Sequence, residues 1–131
     1  MTFEMLWREA LLGALAGDAV LGAGLNRVGD GDGEAAGVTF ALLGEIVGSD
    51  WGAKGLPGRE LRFSVSVSDR GDVARIAGLV AAVEAVLAAM PRAFSDWDCG
   101  GVSVLRTRTV RRRDGVRSAT IEARVRGWRI P

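Results

Sequence analysis

Histidine and tyrosine are both absent from the 131 residues. Without histidine the chain lacks the commonest general acid or base near neutral pH, which excludes every His-containing catalytic triad and His-ligated metal site. An enzyme built on carboxylates stays chemically open. A single cysteine, Cys99, excludes an internal disulfide and points to a reducing compartment. Long apolar runs are missing too: the longest is interrupted by Glu84, so no membrane span is expected. The opening MTFEMLWRE carries acids and no basic run, so no secretory signal is expected there. The 19 glycines are dispersed, without a collagen-like period, and there is no internal repeat.

What is present suits one folded domain over residues 1–131: 48% of residues are hydrophobic and 25% charged, enough for a respectable core. The clearest stretch is 61–90. In LRFSVSVS, Leu61, Phe63, Val65 and Val67 alternate with Arg62, Ser64, Ser66 and Ser68, as on a strand with one apolar face. The turn at 69–72 follows, with Asp72 placed to cap a helix. From Val73, apolar residues recur at three- and four-residue steps through Ile76, Leu79, Val83, Leu87 and Met90 until Pro91. That is an amphipathic helix, expected to lie across the apolar face of the strand.

Residues 3–16 read as a first helix with Thr2 as N-cap, and 19–25 as a possible further helical turn. Residues 26–37 are turn chemistry with room for a short strand at Arg27 and Val28. The apolar run 38–47 reads as a central strand buried on both faces. It enters a Gly/Pro-rich connection, 48–58, long for two strands and hence functional or mobile. A linker at 92–101 contains Phe94, Trp97 and Cys99. Two β-rich runs, 102–112 and 116–127, flank Arg113-Asp114-Gly115, a hairpin signal. A two-residue turn would pair Val104 with Val125 and Val110 with Ala119. A three-residue loop with a glycine bulge would pair Leu105 with Ala123 and Thr107 with Ile121, keeping Arg106 and Arg108 off the core face. The expected fold is a two-layer α+β domain: an antiparallel sheet of about four strands, order α-β-β-α-β-β, with two helices on one face.

Net charge is +1, but unevenly spread. Residues 106–131 hold nine arginines against Asp114 and Glu122, or +7; the eight basic and fourteen acidic residues before them give −6. Unlike surfaces of that kind suit head-to-tail contact between copies. Arginines on a β-ribbon have three readings: a solvated face, a protein interface or a phosphate-binding surface. Trp51, in a Gly-rich segment, either folds back onto its own core or meets a neighbour.

Other motifs fail on spacing. DGDGE at 30–34 resembles part of a calcium loop, but the twelfth position is Ala41 and not glutamate. Glu45, Asp50, Glu60 and Asp69 form no pair of defined separation. Neither glycine cluster has the strand-before, helix-after context of a phosphate cradle.

The order of marks nevertheless resembles a known family. Gly44-Glu45 closes an apolar strand, Asp50-Trp51 sits in the next connection, and an alternating strand at 61–67 follows. An Ala-rich helix at 72–90 and a hairpin at 102–127 complete the series. This is similar to the tail-completion, or tail-terminator, proteins of long-tailed phages and phage-like particles. One departure is Thr39-Phe40, where members often carry a Pro-aromatic pair. The resemblance implies a structural protein, not an enzyme, with no catalytic residues, cofactor or metal. It implies a subunit of a ring, usually six-fold, that caps the tail tube, ends tube polymerisation and offers the head its joining surface. Implied partners are copies of itself, the tail tube protein and a head-completion or connector protein. DNA would pass through the lumen without specific recognition, and no membrane is involved. Such a protein would assemble in the bacterial cytoplasm and end at the tail–neck junction of the particle. A phage, a prophage or a gene transfer agent particle would each fit; richness in Ala, Gly, Arg and Val looks like a GC-rich bacterial genome, which makes the gene transfer agent attractive. Within that frame, Trp51 and Lys54 are the expected loop contacts, and Arg108, Arg111 and Arg113 the expected hairpin contacts.

Overall fold

The computed structural model describes residues 2–24, 28–30, 40–112 and 114–130. Helix α1 (Phe3–Gly17) starts where the Thr2 hydroxyl accepts the Met5 N–H at 3.2 Å. Its buried stripe is Phe3, Trp7, Leu11 and Leu15, one residue per turn. Asp18 ends α1 and begins α2 (Ala19–Gly24), since its carboxylate accepts the Val20 and Leu21 N–H groups at 3.0 Å each.

Among the described residues eight strands form one sheet: β1 (Val28–Asp30), β2 (Phe40–Leu43), β3 (Val47–Asp50), β4 (Gly58–Asp69), β5 (Ala93–Phe94), β6 (Trp97–Cys99), β7 (Ser103–Arg111) and β8 (Arg117–Arg129). The long strands β4 and β8 lie antiparallel at its centre, paired from Gly58↔Trp128 to Asp69↔Arg117. On one side β2 and β3 share the edge of β4; on the other β6 and β7 share the edge of β8. Helix α3 (Val73–Ala88) follows β4.

The sheet and helices enclose one core. Leu61, Phe63, Val65 and Val67 of β4, with Ala119, Ile121, Ala123 and Val125 of β8, face α1 and α3. Full burial of each Val, Leu or Phe contributes roughly 1.5–3 kcal/mol, so this alternating inner face supplies much of the stability. The two layers with both long helices on one face are as the sequence implied. The element count is not. Among the described residues the order is α-α-β-β-β-β-α-β-β-β-β, with three helices, eight strands, and β1 parallel to β2.

Two bulges account for part of the difference. The run 38–47 is broken: between Leu43↔Val65 and Val47↔Arg62, three residues face two on β4. The flip turns Val47 outward, 55% exposed, and turns Gly48 inward, so the run is two strands: β2 lies inside the sheet between β1 and β4, but the run is not buried on both faces. A Cβ on Gly48 would lie 2.8 Å from the Glu4 carboxyl carbon; its absence leaves room for the Glu4–Arg59 ion pair at 3.3 Å. In the C-terminal hairpin the three-residue loop holds, with Gly115 at φ +84 and Thr107 opposite Ile121. Leu105 does not pair with Ala123; it bulges, and Val104 takes that place. The 92–101 linker is a small hairpin, β5–β6, whose Trp97 and Cys99 enter the core. Of the 26–37 turn and the start of the next run, only β1 is described; Arg27, Thr39 and the acidic turn at 31–34 lie outside the described residues.

Asp69 is 3% exposed yet satisfied: it accepts the Gly71 N–H at 2.6 Å and pairs with Arg75 at 2.9 Å. Next to it, the Asp72 carboxylate caps α3 by accepting the Arg75 N–H at 3.0 Å. Loss of such a cap costs about 1 kcal/mol. Asp72→Ala is therefore expected to lower the melting temperature by roughly 4 °C in a calorimetric scan, and Asp72→Ser to recover most of it.

Candidate assembly interface

Period-two alternation puts one row of β4 and β8 on the core and the other on a face that no described helix covers, while β7 beside them is exposed throughout. The uncovered row includes Glu60, Arg62, Ser64 and Ser66 of β4 beside Thr120, Glu122, Arg124 and Arg126 of β8. Ser66 and Thr120 hydroxyls meet at 3.1 Å. Glu60 receives two guanidinium groups, Arg126 at 2.8 Å and Arg62 at 3.1 Å. The Arg126 bond, then the Arg62 bond, holds its carboxyl below the usual carboxylate range. Arg106 does the same for Glu122, with which it forms an ion pair.

Among the described residues Arg108, Arg111, Arg117 and Arg124 have no ion-pair partner. Arg111 lies directly opposite Arg117, and Arg62 directly opposite Arg124. Like charges placed opposite each other destabilise a sheet, so these positions favour an external anionic neighbour.

The expected loop contacts sit on a structured extension. The 48–58 connection is mostly hairpin: Trp51 N–H donates to Gly58 O at 3.0 Å, and Ala53 and Leu56 exchange bonds at 3.0 and 2.8 Å. Gly55, at φ +79, supplies the left-handed residue of the tip, and Lys54 beside it is exposed. Trp51 is not in the core. Its ring lies 6.4 Å from Trp128 with Arg126 stacked 5.0 Å from its centroid, and it stays 42% exposed. With Leu56 it lines an apolar depression of about 400 Å³.

The expected contact residues are not brought together. Trp51 and Lys54 lie beyond the start of β4, whereas Arg111 lies near its end, eleven residues away along the strand from Gly58 to Asp69. At ~3.4 Å per residue that is roughly 35–40 Å. Arg108 and Arg111 also point to opposite faces, since Arg108 is opposite Thr120 and Arg111 opposite Arg117. Arg113 lies outside the described residues. Arg62, Arg124, Arg126 and Trp128 belong to the uncovered face and were missed, although alternation along 116–127 already sets Arg124 and Arg126 against Ala123 and Val125.

Asp96, held low by its bond to Arg129, is an exposed ion pair, and burial pushes the Cys99 thiol up, away from the reactive thiolate. Among the described residues no cluster of acids or cysteine converges as metal ligands would, and no helix is long and apolar enough to cross a membrane.

The family model of tail completion protein gp17 matches residues 9–127. A solved chain from the virion of a native gene transfer agent particle superposes with a TM-score of 0.78, at 25% identity over 92% of this chain and 93% of that chain. No curated protein matches.

Proposed function

We propose that this chain, which belongs to the tail completion protein gp17 family, is a structural protein of a phage-type virion or gene transfer agent and assembles as a six-fold ring. The ring caps the tail tube, ends its polymerisation and presents the joining surface to a head-completion or connector protein. DNA traverses the lumen without sequence readout. The observation that carries this reading is full-length similarity to a chain of a gene transfer agent virion. The charge pattern supports it: a ring needs two different patches that meet head to tail, and an acidic body with uncompensated arginines at one sheet edge supplies them.

A second reading, a small nucleic-acid-binding module, draws on the uncovered face, where arginines outnumber acids and the exposed Trp51 offers a stacking ring. The two part on salt. Phosphate binding falls steeply with ionic strength, whereas ring assembly involves no duplex.

The test is solution mass by light scattering across a concentration series, with negative-stain images of the same samples. The expected result is a closed species of about six subunits with a central hole. A dimer whose mass shifts on adding DNA would favour the second reading.

A further inference from the structure

Strand β7 is an edge. It pairs with β8 on one side, and among the described residues no strand pairs with the other; all nine of its residues are exposed. Val104, Leu105 and Val110 are 43%, 42% and 58% exposed, an unusual apolar load for an open edge. On the opposite side of the sheet β3 is also unpaired along its outer edge among the described residues. Its Val47 is 55% exposed and is flanked by Glu45 and Asp50, both exposed and without an ion pair among the described residues.

An open edge presents backbone donors and acceptors to any second strand. Charge decides which strand. Pairing β7 with another β7 sets Arg108 and Arg111 against their own kind, and pairing β3 with β3 sets acids against acids; both are disfavoured. The bulge at Leu105 further hinders a regular β7–β7 ladder. Of these three pairings the mixed one is complementary, and it is the heterologous kind that propagates to closure where an isologous one stops at two copies.

We infer that the β7 edge of one copy adds to the β3 edge of the next, so that the sheet continues from subunit to subunit. This rests on the ring reading and names its contact. Val47 then meets the apolar residues of β7, while Glu45 and Asp50 meet Arg108 and Arg111. Arg106 takes no part, being tied to Glu122.

The experiment pairs light scattering with backbone amide exchange on the full chain. In the oligomer, β7 amides should exchange at least about tenfold more slowly than in the dilute monomer. Arg108→Glu with Arg111→Glu should raise the assembly midpoint concentration about tenfold or more, with an unchanged melt; Glu45→Arg with Asp50→Arg should do the same. The four changes together should restore assembly. A closed oligomer whose β7 amides exchange freely overturns the edge contact and leaves the ring standing. Failure of the four-fold variant to recover, with its melt intact, also overturns it. A monomer at every concentration overturns both the edge contact and self-assembly of the ring.

Discussion

Trp7→Ala is expected to cost about 3–5 kcal/mol, the range for deleting a buried large aromatic. Trp7 is fully buried and joins three parts of the chain. Its ring lies 5.7 Å from Phe63 on β4, 5.6 Å from Phe94 in an edge-on contact, and 6.4 Å from Phe3 one turn away. Such pairs add roughly 0.5–1.5 kcal/mol each beyond area burial. The indole N–H has no hydrogen-bond partner among the described residues, so its removal forfeits packing and no polar contact. Trp7→Phe should accordingly retain much of the stability. Domains of this size hold only about 5–15 kcal/mol, so the alanine variant should show a sharply lowered urea midpoint. A loss below about 1 kcal/mol would contradict the placement of Trp7 at the centre of the aromatic cluster.

Gly127→Ala is the second large effect, and it works through excess volume. A Cβ at Gly127 would stand 2.6 Å from Phe3 Cε2 and 2.7 Å from Cζ. Phe3 cannot simply swing away, because its ring stacks on Trp97 at 5.0 Å and an interplanar angle of 15°. Overpacking of this kind costs typically 1–3 kcal/mol. Disturbing the stack should also alter the near-ultraviolet circular dichroism of the tryptophans. The decisive control is Phe3→Leu with Gly127→Ala: relief of the clash predicts a double variant more stable than the sum of the two single losses. Strict additivity would mean that Gly127 matters for some reason other than Phe3.

Both effects depend on contacts between residues far apart in the chain, which is where sequence reasoning ran short. The alternation of 61–68, the stripe and Asp72 cap of α3 and the Thr2 cap of α1 were all legible, whereas at the Gly115 turn the sequence left two loop lengths open. Each is set by residues within a few positions of one another, and backbone geometry converts their spacing directly into a face or a cap. The charge asymmetry was legible for the same reason, as was the order of marks that resembles the tail-completion family.

Which arginines share a surface was not legible. The bulges at 44–46 and at Leu105 each move one residue out of register and reverse the faces that follow. Trp51 finds Trp128 and Arg126 only because β4 brings the hairpin it leads into against the end of β8. The 92–101 segment reads as a linker until Trp97 pairs opposite Arg129 and fills the space beside Phe3. By itself, then, the sequence determined the helices, the central strands, the one-sided core and the unlike charges of the two ends. The tertiary structure alone decided the edges of the sheet, the split of Arg108 and Arg111 between faces, and the distance between Trp51 and Arg111. Local pattern sets what a segment can bury, but register and edge are chosen by the summed packing of strands that meet only when the chain has folded.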